Sequence, residues 1–144
     1  VIHLGKAHND EWARDGAAEA ADNPRYFWRG ETPGWQVRRI FSQCHAMVIS
    51  SRMEGGANVV SEAAAAGLPV VASYIDGNVG LLGGDYEGYY PVADEVALAK
   101  VLHRAETEPA FLKRLGEQCQ ARAWLFEPAL ECAAWTRLLA TLTK

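Results

Sequence analysis

Ala46-Met47-Val48-Ile49-Ser50 and Pro69-Val70-Val71-Ala72-Ser73 enclose the run Glu54-Gly55-Gly56-Ala57-Asn58-Val59-Val60-Ser61-Glu62, and the reading of this stretch decides the fold. The two outer segments are short apolar runs without polar alternation, the pattern of strands buried on both faces of a parallel sheet. Parallel neighbours need a crossover connection, and the Ala-rich segment Asn58 to Ala66 supplies it as a helix. A buried strand therefore ends at Ser50, a glycine pair lets a ligand approach the backbone, and a helix starts with its N–H groups pointing outward. Helix N-termini of this kind bind anions, above all phosphates. Glu54 lies before the helix and Glu62 about two turns into it, which separates them by roughly 12 Å along the axis. That is about the span of a sugar, a diphosphate and a ribose laid end to end.

The same alternation continues outward. Val1 to Gly5 reads as a buried strand ending in Gly, Asp10 to Ala21 as a helix closed by Asp22-Asn23-Pro24, and Tyr26 to Gly30 as a second strand. Trp35 to Cys44 reads as a helix. Asn78 to Leu82 is a short helical turn and Tyr89 to Val92 a last short strand. Asp94 is an N-cap for a helix to Ala105. Pro109 fits the first turn of a helix that turns Phe111, Leu112, Leu115 and Cys119 inward, and Pro128 opens a final helix with Trp135, Leu138, Leu139 and Leu142 as its apolar stripe. Strands alternating with helices over the first hundred or so residues predict an α/β, doubly wound, parallel Rossmann-like sheet in a single domain 1–144, with a helical part from about 94. Such sheets bind ligands at the carboxyl ends of their strands. Those ends here are Gly5-Lys6, Gly30-Glu31, Ser50-Ser51-Arg52 and Ser73-Tyr74.

With 144 residues, 49% hydrophobic and 22% charged, the chain is long enough for one real core and ordinary for a globular protein. A net charge of −4 with no Lys/Arg cluster excludes a nucleic-acid surface; Arg38-Arg39 is expected to face solvent. No apolar run is long enough to span a membrane, and no secretion signal is visible. The 3 cysteines, Cys44, Cys119 and Cys132, are widely spaced among apolar residues, which favours small buried hydrophobes over a disulfide framework or a metal site and fits a reducing cytoplasm. His3 is read as a packed, hydrogen-bonded core residue, and His45 and His103 as structural or exposed. No triad and no metal-ligand spacing emerges.

On the residues alone the site keeps two readings. Glu54 is a solvated loop carboxylate or a ligand group; Glu62 is an exposed helix residue or a carboxylate with a partner. Gly55 and Gly56 are a flexible turn or a place where backbone N–H reaches an anion. Asn58 is an N-cap or a ligand contact, and Arg52 and Lys6 are surface cations or counter-ions.

The block as a whole, Ser50-Ser51-Arg52-Met53-Glu54-Gly55-Gly56 through Glu62-Ala63-Ala64-Ala65-Ala66-Gly67-Leu68-Pro69-Val70-Val71-Ala72-Ser73, resembles the donor site of retaining GT-B glycosyltransferases of the family-4 type. His3-Leu4-Gly5-Lys6, Ser51 to Asn58 and Gly77-Asn78-Val79-Gly80-Leu81-Leu82-Gly83 are similar to a bacterial subgroup that includes selenosugar synthases. The resemblance implies a donor-binding half of a GT-B fold and a nucleotide-sugar, a UDP-sugar, as substrate, with no further cofactor and no metal. It gives Glu54 the sugar hydroxyls and Arg52 the leaving diphosphate, the two catalytic candidates. It gives Gly55, Gly56, Ala57 and Asn58 the phosphates, Glu62 the ribose, Gly77 a backbone contact to sugar or phosphate, Gly30 the nucleobase, and Lys6 a supporting charge. Asp76-Gly77-Asn78-Val79-Gly80 departs from the Gly-Gly followed by Pro-Glu that the family often has.

The resemblance also implies a separate N-terminal acceptor domain and a first strand ahead of Val1. The chain is then expected to be an N-terminally truncated donor-binding part, inactive alone. The alternative is a non-catalytic, stand-alone fragment that binds a nucleotide or serves assembly; a sugar-nucleotide epimerase would need acid and base residues that do not stand out. Without the first strand, Val1–Gly5 and Ala46–Ser50 should either pair directly or recruit a second copy as a homodimer.

Overall fold

The computed structural model describes residues 1–142 and divides into two compact units, Val1–Ile40 and the chain from Phe41 onward. The first unit is a single β-α-β turn. β1 (Ile2–His3) and β2 (Phe27–Trp28) run parallel, with Ile2 opposite Phe27 and His3 opposite Trp28, and α1 (Asp10–Asp22) connects them. Asn9 caps α1: its side-chain oxygen accepts from the Trp12 N–H at 2.9 Å, while Asp10 and Glu11 place negative charge in the first turn. The Trp28 indole N–H donates to the Gly5 carbonyl at 3.0 Å, and its ring meets α1 so closely that a Cβ on Gly16 would lie 3.3 Å from it.

Burial on both faces does not hold in this unit. Ile2, His3 and Phe27 are all exposed, because two strands with one crossover helix leave a face uncovered. His3, expected in a packed core, keeps a hydrogen bond between its Nδ1 and the Tyr26 hydroxyl, and its ring neighbours Tyr26 and Trp28, but it stands at the surface. α2 (Gly34–Phe41) follows β2 and ends on the buried Phe41.

The second unit holds the core. β3 (Met47–Ile49), β4 (Val70–Ser73) and β5 (Tyr89–Tyr90) form a parallel sheet in that order, with Met47 opposite Val70 and Ala72 opposite Tyr89. α3 (Asn58–Ala65) crosses from β3 to β4, and α4 (Asp76–Leu82) from β4 toward β5. α5 (Glu95–Thr107), α6 (Pro109–Arg122), a 3-10 turn at Ala123–Phe126 that the sequence reading lacked, and α7 (Pro128–Leu142) complete it. β4 is buried along its whole length, α3 packs against α6, and Val60, Ala63 and Ala64 of the one and Phe111, Leu115 and Cys119 of the other are buried. Asp94 caps α5 as expected, accepting from the Ala97 N–H at 2.8 Å, and Pro109 opens α6. Tyr86 extends the ladder beyond β5: its hydroxyl accepts from the Val70 N–H at 2.9 Å and donates to the Val70 carbonyl, and burial pushes its pKa up.

Within its own unit each strand takes the partner that its crossover helix delivers: β1 bonds to β2, and β3 to β4. Two expectations are corrected here. The strands other than β4 are shorter than their apolar runs, and β3 exposes Val48, on the face opposite to that of Met47 and Ile49. Of the cysteines only Cys119 is buried. Cys44 is half-buried, and Cys132 is exposed because the residues of α7 remain open to solvent.

Candidate functional site

β3 ends at Ile49, and the chain must turn before α3 can run back. The turn is residues 50–57. Gly56 adopts φ +151°, a region that side-chain-bearing residues avoid, and Ala57 is extended at φ −80°, ψ 119°. Helical backbone begins at Asn58. Ala57, not Asn58, is therefore the N-cap, and it has no side chain able to cap. The expectation that Asn58 caps the helix is corrected: the glycine-controlled turn delivers it one residue too late. The start of α3 is thus left with N–H groups that no side chain satisfies, opening beside the exposed Gly55 and Gly56.

α4 brings Gly77 against this turn. A Cβ built there would stand 2.2 Å from the Glu54 carbonyl oxygen and 3.2 Å from the Gly56 nitrogen. Only glycine allows this approach, so Gly77 is a backbone seat for the turn and is itself buried.

Polar contacts hold the turn from below. The Ser51 hydroxyl donates to Glu54 Oε1 at 3.0 Å. The Ser51 carbonyl accepts from the Ser73 hydroxyl at 2.6 Å. The Asn78 amide nitrogen donates to the Ser73 carbonyl at 2.9 Å and contacts Ser73 Oγ at 3.3 Å. Tyr90, on β5, reaches over β4 to the Ile49 carbonyl at 3.1 Å, and burial pushes its pKa up against a lowering hydrogen bond with Ser50. Ser73 and Asn78 are almost wholly buried.

The structure thus brings together Glu54, Gly55, Gly56, Ala57, Asn58 and Gly77, with Glu62 half-buried about one turn along α3 and Arg52 exposed on the turn. Lys6 and Gly30 belong to the other unit. There Gly30 has φ +65°, and its carbonyl accepts from the Gly5 N–H at 2.8 Å and from the Thr32 hydroxyl at 3.2 Å, so its acceptor positions are in use. Ser51 and Ser73 enter the sequence analysis only as strand ends and Asn78 only within a motif; none of them is given a supporting role there. Their signal is slight: small hydroxyl residues at two strand ends, and one amide in an otherwise apolar turn.

Among the described residues no group of three or more His, Cys, Asp and Glu side chains could hold a metal ion, and no helix is long and apolar enough to cross a membrane.

A family profile described as "Glycosyl transferases group 1" matches residues 3–122. The fold is similar to that of sucrose-phosphate synthase from Thermosynechococcus elongatus, at TM-score 0.77 and 23% identity over 98% of this chain and 38% of that one. It is also similar to a point mutant of S. aureus TarM solved in complex with fondaparinux, alpha-GlcNAc-glycerol and UDP, at TM-score 0.74 and 18% identity over 95% of this chain and 28% of that one. The chain therefore spans well under half the length of either structure. No curated protein sequence matches it.

Proposed function

We propose, from the premise that the chain belongs to the group 1 glycosyl transferases and has a Rossmann-like fold of the GT-B kind, that residues 54–62 bind the UDP-sugar donor of a retaining transferase. The observation that carries this reading is the uncapped start of α3 behind Gly55-Gly56, with Glu54 before it and Glu62 beyond it. The N–H groups of that first turn and Arg52 receive the diphosphate, Glu62 the ribose hydroxyls and Glu54 the sugar hydroxyls. The UDP held in the TarM complex supports the choice of nucleotide.

Transfer in this reading asks little acid–base chemistry of the domain. The donor is held in one geometry, and charge developing on the departing diphosphate is met by fixed dipoles and a cation. The acceptor is bound by a separate domain, so the described part is inactive alone. Family-4 type, a subgroup related to selenosugar synthases, and a cytoplasmic location belong to the same proposal, the last supported by three free cysteines.

Calorimetry on two variants tests the division of labour. Glu62→Ala is expected to weaken UDP and UDP-sugar alike. Glu54→Ala should weaken only the UDP-sugar, each by about 1.5–3 kcal/mol for a lost hydrogen bond to a charged group. Equal loss of UDP affinity in both variants contradicts the assignment.

A further inference from the structure

We propose that Ser73 and Asn78 are positioning residues for Glu54, acting through Ser51. The inference rests on the donor-site reading for its consequence, and on hydrogen-bond directions for its substance.

Those directions are forced. The Ser73 carbonyl can only accept, so the Asn78 group 2.9 Å from it is the NH2 end of the amide. The same NH2 lies 3.3 Å from the Ser73 hydroxyl oxygen, which therefore acts there as acceptor. The Ser73 hydroxyl proton is then left for the Ser51 carbonyl, 2.6 Å away, which again can only accept. At the far end the Glu54 carboxylate accepts and the Ser51 hydroxyl donates, at 3.0 Å. The series runs one way, from the buried start of α4, through the end of β4, to the residue that holds the carboxylate.

Two further observations point to the same use. The buried Asn78 Oδ1 has no hydrogen-bond partner, a costly state for an amide oxygen. What the position retains is therefore the donation to Ser73. Next to it, Gly77 seats the Glu54 carbonyl, so one turn of α4 fixes both the backbone and the side chain of Glu54. Glu54 is exposed, and an unrestrained glutamate would lose rotamer freedom on meeting a sugar. Held by one hydrogen bond at Oε1, it meets the ligand already ordered, with other lone pairs free for hydroxyl groups.

The test uses Ser51→Ala, Ser51→Thr, Ser73→Ala and Asn78→Ala in the full chain. In the ligand-free protein, the 13C resonance of the Glu54 side-chain carboxyl should move in Ser51→Ala and Ser73→Ala and return in Ser51→Thr, while Phe111 and Tyr86 resonances stay in place. UDP-sugar affinity should fall about tenfold in Ser51→Ala and about fivefold in Ser73→Ala and Asn78→Ala, with UDP affinity unchanged. A Glu54 carboxyl resonance indifferent to Ser73→Ala overturns the proposal, as does equal weakening of UDP and UDP-sugar. If Ser73→Ala or Asn78→Ala fails to fold, the half-buried Ser51 pair still decides whether the hydroxyl controls the carboxylate. Failure of the unaltered chain to bind UDP overturns the donor-site reading instead, and the carboxyl resonance, which needs no ligand, still decides the positioning.

Discussion

Gly77 places its Cα so near the preceding turn that a methyl group there would stand 2.2 Å from the Glu54 carbonyl oxygen. The sequence marks Gly77 only as a possible ligand contact, because a glycine's spatial neighbour is invisible in its own segment. Glu54, Glu62 and the glycine pair were legible, since carboxylates and glycines around a strand-helix junction carry a local chemical signature. Ser73 and Asn78 were not: their partners lie 22 and 5 residues away, and neither residue type is diagnostic. Gly77→Ala should displace the turn, destabilise the fold by about 1–3 kcal/mol as overpacking does, and abolish nucleotide binding. Thermal melting with UDP titration checks this, and retention of both stability and binding would contradict the seating role.

Helices were the more legible elements. Asp94 and Pro109 signal their helix starts through side chains whose chemistry acts within one turn, and both appear where expected. Asp94→Ala is accordingly expected to cost about 1 kcal/mol, measurable by urea unfolding. Strand burial was the less legible property, because an apolar run does not reveal how many neighbours will cover it. β4 is buried along its whole length, whereas β1 is exposed and β3 exposes Val48. β5 and the segment before it carry a pH consequence. Tyr89 is pushed up to about 12, chiefly by burial and against the lowering effect of Arg122, and burial also raises Tyr86. A phenol whose pKa is higher folded than unfolded stabilises the fold fully below the unfolded value of about 10, and that contribution is lost as pH rises through the folded value. Stability should therefore be level into mild alkali and fall from about pH 10 upward. Tyr89→Phe should flatten the part of that fall between pH 10 and about 12; an unchanged profile would contradict the assignment.

At the scale of the whole molecule, β1 and β3 each pair on one side only, and β3 shows Val48 to solvent. Open strand edges with apolar side chains invite pairing with another chain, so light scattering is expected to find a dimer, and a monomer at every concentration would contradict that expectation. The α/β class was plain from the alternation of segments, whereas the division into two units was not, since no Pro- or Gly-rich linker marks it at Ile40. The central claim is that residues 54–62 form a UDP-sugar donor site. It is tested most directly by following the backbone amide resonances of the chain during titration with UDP up to millimolar concentration. The account predicts saturable shifts centred on Gly55, Gly56, Asn58 and Glu62, with the α7 resonances unmoved. Absence of shifts at those four residues, or shifts centred elsewhere, would contradict it.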